Sequence, residues 1–378
     1  MKPSTGISST NMRLNTPFTN ERELEEIAKV LATGYLTQGP KTREFEQQVA
    51  NFVGCRHAFA MSSCTTALHL ALVALNIGAG DEVLVPDFTF PATANVVVQQ
   101  GAIPVPVDID LETFNMNLAD LRAKITPQSK AIMPVHAFGL SADMNPIMEL
   151  AAEFSLPVIE DAACAIGTTY HGRYSGTIGA LGCFSFHPRK IITTGEGGMI
   201  ITNDDALAAK IQLLRSHGGV RRGNFFEFEE AGYNYRLSDI QGAVGVAQME
   251  KLPWLLERRR FLAGQLKEAL ADIPGVTLPA EPAWGGHIYQ SFVVLLDEGI
   301  NRNGVIERLR EREIETTLGT YSLSSQPFFQ RTYGYDPSLV PSSHAAFHRS
   351  LTLPFYPQMD EASFDKIAIE LRAAVMAQ

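Results

Sequence analysis

Apolar residues recur along this chain in two rhythms. From Glu21 the spacing is helical, and a second helix is predicted from about Lys41 to Val53. Short apolar runs then alternate with helical stretches: His57–Met61, a helix from about Thr65, Glu82–Pro86, a helix from about Thr93, and Ile103–Val107. Further runs follow at Ala131–Val135, Pro157–Glu160, Gly182–Phe186 and Met199–Thr202. Strand-like runs separated by helices predict mainly parallel pairing in a doubly wound α/β domain. Ser238 with Gln241 forms a capping-box pattern, predicting a helix through about Leu252 that Pro253 stops. Beyond it, Arg258–Ile273 reads as a helix, His287–Leu296 as a strand and Gly304–Arg312 as a helix. Phe364, Ile367, Ala368, Leu371, Ala374 and Val375 recur at helical spacing near the end. The expected organisation is an N-terminal arm rich in Ser, Thr, Asn and Pro (1–20), a large α/β domain (21–253) and a smaller C-terminal α+β domain (254–378), with part of the arm packed on the latter.

Composition narrows the class. The 378 residues carry 31 basic and 41 acidic side chains, a formal charge of −10, and 45% are hydrophobic. That is enough chain for a sizeable core, and the acidic balance argues against nucleic acid, whose binders cluster Lys and Arg. The one tight basic cluster, Arg258–Arg260, reads as a solvated helix face. Cys55, Cys64, Cys164 and Cys183 fit neither a zinc module nor a dense disulfide framework, so a reducing compartment is expected. Met1–Arg13 has no apolar signal-peptide core, and no apolar run reaches membrane length. A cytoplasmic enzyme is the expectation.

Three elements carry chemistry. Lys190 follows the buried-looking run Gly182–Phe186 and precedes the glycine-rich Gly195-Glu196-Gly197-Gly198. A desolvated lysine there can form a Schiff base with an aldehyde; an ordinary surface lysine after a strand fits the same pattern. Asp161 ends the run Leu156–Glu160, at the carboxyl end of a strand where α/β sheets gather ligands. It can hold a pyridine nitrogen protonated, or merely cap the next segment, while Glu160 is expected to face away into a structural salt bridge. Ser62-Ser63-Cys64-Thr65 opens a helix, a phosphate site or a simple N-cap. No Walker-type or strand-linked G-x-G-x-x-G motif is present, which turns the reading away from nucleoside triphosphates and NAD.

A phosphate cradle, an aspartate for a pyridinium and a lysine for an aldehyde together specify pyridoxal 5′-phosphate. The chain resembles the DegT/DnrJ/EryC1/StrS nucleotide-sugar aminotransferases of the aspartate-aminotransferase fold, fold type I, over nearly its whole length. The motifs are Ser63-Cys64-Thr65-x-Ala67-Leu68, Pro86-x-Phe88-Thr89-Phe90-x-Ala92-Thr93, Glu160-Asp161-Ala162-Ala163, Ser185-Phe186-His187-x-x-Lys190 and Gly195-Glu196-Gly197-Gly198. The resemblance implies that Lys190 is the Schiff-base lysine and proton shuttle and that Asp161 pairs with the pyridine nitrogen. It implies that Ser63, Cys64, Thr65 and Ser185 hold the phosphate and that Phe90 stacks on the ring, where the residue alone reads as core. Asn234 matches an asparagine that reaches the neighbouring subunit's cofactor, implying a homodimer with shared active sites. Cys164 stands where many members carry Gln, Glu or His near the cofactor's phenolic oxygen, and a thiol donates less well. Thr320-Tyr321 replaces the more usual His-Tyr, with Tyr321 a sugar-contact candidate; His217 is a substrate candidate that also reads as a structural cap. His187 is expected to be packed structure.

The implied reaction is ping-pong transfer of an amino group from L-glutamate to a keto sugar, expected to be a nucleotide-linked 4-keto-6-deoxyhexose. Related dehydratases carry a histidine in place of Lys190, so the lysine favours amino transfer. C3 amination, a non-nucleotide keto sugar, another fold-type I chemistry such as dehydration, and a non-catalytic regulator that kept the fold are the alternatives. No metal is implied.

Overall fold

The computed structural model describes residues 11–377, so the first ten residues of the expected arm, and Gln378, lie outside the described residues. The short apolar runs build a sheet of seven strands: β1 (His57–Met61), β2 (Glu82–Pro86), β3 (Ile103–Val107), β4 (Ser129–Ile132), β5 (Ile159–Asp161), β6 (Leu181–Ser185) and β7 (Gly198–Thr202). Their order is β1-β7-β6-β5 and β4-β2-β3, and parallel bridges Ile132↔Val158 and Val135↔Asp161 join the two groups. Only β7 runs against its neighbours.

β6 and β7 are buried at every position, as expected of central strands covered on both faces. Their alternation decides which core each residue joins. Cys183 and Ile200 face the helices Cys64–Ala74 and Ala92–Gln99, whereas Phe184, Phe186 and Met199 face Pro40–Val53 and the long helix Asp239–Leu270. Because β1, β5 and β6 are parallel, their carboxyl ends bring residues 62–65, Asp161 and Ser185 to one edge of the sheet.

A second, antiparallel sheet pairs Val276–Thr277, Phe292–Leu296, Ser350–Leu353 and Thr317–Leu318 in that order. It packs on Arg302–Glu311, Glu361–Met376 and the end of the long helix, through Leu262, Leu266, Val305, Phe364 and Leu371. The start of the described arm lies here: Met12 pairs with Ile314, and the Phe355 N–H donates to Leu14 O at 3.1 Å, whereas Phe18 packs with Phe45 and Val49 against the large sheet. Among the described residues no helix is long and apolar enough to cross a membrane.

Three local expectations are corrected. Pro253 does not end a helix; it sits inside the single helix Asp239–Leu270. Proline removes one backbone donor and costs about 3 kcal/mol in a helix interior, but burial of Met249, Leu252, Leu255 and Leu256 around it is worth more. The strand expected at His287–Leu296 begins only at Phe292, because Tyr289 takes a φ of 50° and turns the chain. Arg258–Arg260 is not a solvated face throughout. Arg259 is buried, donates to the carbonyls of Tyr289 (2.9 Å) and Gln290 (2.7 Å), and lies 4.8 Å over the Phe355 ring.

Candidate active site

Asp161 and Glu160 leave β5 in opposite directions. Glu160 is fully buried; its carboxylate accepts the N–H groups of Gly176 (2.7 Å), Ile178 (2.6 Å) and Gly179 (2.6 Å) and pairs with His136 Nε2 at 2.9 Å. His136 Nδ1 accepts from the Ala142 N–H at 3.1 Å, so its proton sits on Nε2. Burial works against the Glu160 charge, yet His136 and the backbone donors hold its pKa below the ordinary value. This is the structural pairing expected of it.

Asp161 is also buried but less well compensated. Oδ2 accepts from the Thr93 hydroxyl at 2.8 Å, and Oδ1 accepts from the Ala163 N–H at 3.2 Å. Burial pushes its pKa above the usual carboxylate value, against the pull of Thr93, Ala163, Lys190 and His136. Thr93 is in turn 2.9 Å from the Thr89 hydroxyl. Both threonines lie in the motif that contains Phe90, but spacing alone did not single out their contact with Asp161.

The segment after β1 does what its hydroxyls suggest. Ser63 is the N-cap of Cys64–Ala74, accepting the Thr66 N–H on Oγ at 3.1 Å, and Ala67 N–H closes on Ser63 O. This leaves the Cys64 and Thr65 N–H groups with no partner among the described residues, at the positive end of the helix. The Cys64 side chain itself is buried in the core, so what it offers is its backbone. Gly198, at the start of β7, lies against this turn: a Cβ there would stand 2.4 Å from Ser63 C and 2.5 Å from Cys64 N. Ser185 ends β6 with its Oγ 3.4 Å from the His187 N–H.

Lys190 follows in a turn closed by its N–H on His187 O, and its Nζ lies 3.0 Å from Cys164 Sγ. Desolvation opposes the ammonium, but Cys164, Cys64 and Asp161 outweigh it and hold its pKa above that of an ordinary lysine. The proton is therefore not shed by burial alone. His187 is less packed than expected, its side chain 45% exposed and 4.0 Å from Glu196, but its role is structural as expected: Nδ1 accepts the Arg189 N–H at 3.2 Å.

Phe90 is 64% exposed, which excludes the core-packing reading. Its ring is 6.5 Å from that of Tyr321, which arrives because Tyr321 pairs with Thr89 across an antiparallel bridge. Asn234 and His217 are both exposed, and Tyr235, the residue after Asn234, adjoins the turn that follows β1, its carbonyl accepting the Ser62 N–H at 2.8 Å. Asn234 bridges to Ser216 through its backbone, and its side chain makes no hydrogen bond among the described residues. His217, at a φ of 63°, contacts Arg236 at 3.2 Å. Within one protomer neither residue joins the Lys190–Asp161 group by a hydrogen bond.

These residues fit pyridoxal 5′-phosphate on the structure's own terms. Asp161 is a buried carboxylate whose charge calls for a cationic N–H, two helix N–H groups stand unpartnered among the described residues, and an aromatic face is uncovered nearby.

A family model described as the DegT/DnrJ/EryC1/StrS aminotransferase family matches residues 17–372. GDP-perosamine synthase of Caulobacter vibrioides is 44% identical over 331 residues, covering 87% of this chain and 88% of that protein. Spore coat polysaccharide biosynthesis protein SpsC of Bacillus subtilis is 38% identical over 372 residues, covering 95% and 96%. The PLP form of the putative sugar aminotransferase Spr1654 from Streptococcus pneumoniae superposes with a TM-score of 0.92 at 26% identity, covering 97% of this chain and 99% of that one.

Proposed function

The chain belongs to the DegT/DnrJ/EryC1/StrS aminotransferase family and is a PLP-dependent enzyme of fold type I, and from this we propose that it aminates a nucleotide-linked 4-keto-6-deoxyhexose with L-glutamate as donor. The observation that carries the reading is the convergence of Lys190, Asp161 and the Cys64–Ala74 N-terminus at one sheet edge. The names of the two sequence relatives, one a GDP-linked amino-sugar synthase and one a polysaccharide biosynthesis protein, support a sugar acceptor carried on a nucleotide.

When bound, the cofactor supplies an electron sink conjugated to the substrate carbon. Asp161 keeps the pyridine nitrogen protonated, and its own carboxylate is stabilised in return. The Cys64 and Thr65 N–H groups, with Ser63 and Ser185, take the phosphate. Lys190 Nζ removes the proton from the α-carbon of glutamate and returns one to the sugar carbon in the second half-reaction. Cys164 beside it tunes that amine. Phe90 covers the ring face, and Tyr321 beside it meets the sugar. His217 remains a structural residue on this reading, turning the chain against Arg236.

Asn234, exposed and with no side-chain partner among the described residues, completes the phosphate site of a second copy, so the active unit is a homodimer with shared sites. The deciding experiment offers the enzyme L-glutamate with 4-keto and 3-keto nucleotide sugars and locates the new amine by NMR. A C4 amine with 2-oxoglutarate formation is expected. A C3 amine, amination of the free sugar alone, or loss of oxygen without amine gain would replace this reading with the corresponding alternative.

A further inference from the structure

Asp87 directly follows β2 and is completely buried, yet among the described residues no basic side chain pairs with it. Its charge is met instead by donors from far along the chain. Oδ1 accepts the Ser324 N–H at 2.7 Å and the Ser324 hydroxyl at 2.5 Å. Oδ2 accepts the Ser322 hydroxyl at 2.7 Å and also the Ser343 hydroxyl. Its backbone carbonyl takes the Leu323 N–H at 2.8 Å. A buried carboxylate with this many charge-assisted bonds fixes its donors firmly, since losing any one leaves the charge under-solvated.

What is fixed are the neighbours of the site's mouth. Ser322 adjoins Tyr321, and both lie in the two-residue strand paired with Phe88 and Thr89. Ser343 sits in the helix Pro341–Arg349, whose Phe347 ring is 6.4 Å from Tyr321. Asp108 holds the same helix by accepting the N–H groups of Ser342 (3.1 Å) and Ser343 (2.8 Å). On the other side of Asp87, the stretch 88–93 carries the exposed Phe90 ring and the Thr89–Thr93 pair that reaches Asp161.

We propose that Asp87 is the positioning residue for the acceptor side of the site: through Ser322, Ser324 and Ser343 it holds Tyr321 in place beside Phe90. It never touches substrate, and the inference rests on the reading of Tyr321 as a sugar contact. Lys190 and the phosphate cradle are held by other strands, and Asp161, itself in β5, among the described residues meets this stretch only through the Thr93 hydroxyl. Loss of the clasp therefore falls on the keto-sugar half-reaction much more than on the glutamate one.

The test compares Asp87→Ala, Asp87→Asn and Ser343→Ala with wild type in the two half-reactions separately. Expected for Asp87→Ala is a keto-sugar KM raised about tenfold or more, while the rate of the cofactor absorbance change with L-glutamate alters by less than about threefold. Asp87→Asn, which keeps an acceptor oxygen, restores part of the sugar KM. Ser343→Ala serves if the alanine variant does not fold. Equal losses in both half-reactions, or an unmoved sugar KM, overturn the inference. Hydrogen exchange at Leu323 and Ser324 needs no sugar: faster exchange in the folded variants supports the clasp, and unchanged exchange refutes it. Tyr321→Ala separates the two readings. An unmoved sugar KM there removes Tyr321 from the proposed function, whereas a raised one with Asp87→Ala silent removes only the clasp.

Discussion

Lys190 Nζ and Cys164 Sγ stand 3.0 Å apart, a lysine paired with a thiol. The sulfur is the largest of the influences that hold the lysine protonated. Removing it in Cys164→Ala lowers the Lys190 pKa, which leaves more neutral amine at any given pH. Cofactor-free Cys164→Ala should therefore take up pyridoxal 5′-phosphate faster near neutrality, and the pH profile of loading, followed by absorbance, should shift to lower pH. Superimposable profiles for variant and wild type would remove the thiol from this role.

Asp161 makes a prediction that separates stability from activity. Its folded pKa is raised, chiefly by burial. Its contribution to the stability of the cofactor-free protein is thus fully present below the ordinary carboxylate pKa and is lost as pH rises through the folded value. Asp161→Asn removes the ionisation. Cofactor-free Asp161→Asn should melt higher than wild type at neutral pH, and the gain should vanish in acid. With cofactor, turnover should fall by about a hundredfold or more, because the pyridine nitrogen loses its anion. A variant that melts lower at neutral pH would show that burial of this carboxylate is not a cost.

The parts of the site legible in the sequence are those set by local rules. Lys190 and Asp161 stand out because each follows a short apolar strand, and strand ends in a parallel sheet converge whatever the loops do. Ser63 is legible as an N-cap for the same reason. The Asp87 clasp is not: its donors Ser322 and Ser343 lie 235 and 256 residues away, and serines carry no periodic signal to pair them. Pro253 misleads because helix propensity is a local preference that packing overrides, and Arg259 because a basic run is read without the carbonyls that its guanidinium meets. Thr93 falls in a motif, but only the fold brings it 2.8 Å from Asp161.

Gly198 tests the phosphate cradle without touching a polar group. An added methyl would meet backbone atoms of Ser63 and Cys64 at 2.4–2.5 Å, and backbone cannot swing aside as a side chain does. Gly198→Ala should displace the helix N-terminus, cost about 1–3 kcal/mol of stability, and weaken cofactor binding by about tenfold or more. Fluorescence titration of the cofactor-free variant measures the affinity. An unaltered Kd would mean that the first turn of that helix is not where the phosphate is held.

Glu160 supports Asp161 from the opposite face of the same strand, and its titration has the reverse sign. Its folded pKa lies below the ordinary glutamate value although burial opposes this. The stability it adds is present above the unfolded pKa and disappears as pH falls through the folded one. Wild type should therefore lose stability steeply in acid, and Glu160→Gln should flatten that limb. The variant replaces an acceptor oxygen with an amide that confronts N–H donors at 2.6–2.7 Å, so at neutral pH it should lose about 3 kcal/mol. For a chain of this size that corresponds to roughly 4 °C in the melting midpoint. Since Glu160 ties the loop of residues 176–179 to β5, the strand that ends in Asp161, turnover should fall with stability. Full activity in a destabilised Glu160→Gln would confine Glu160 to holding the loop, with no hold on the aspartate beside it.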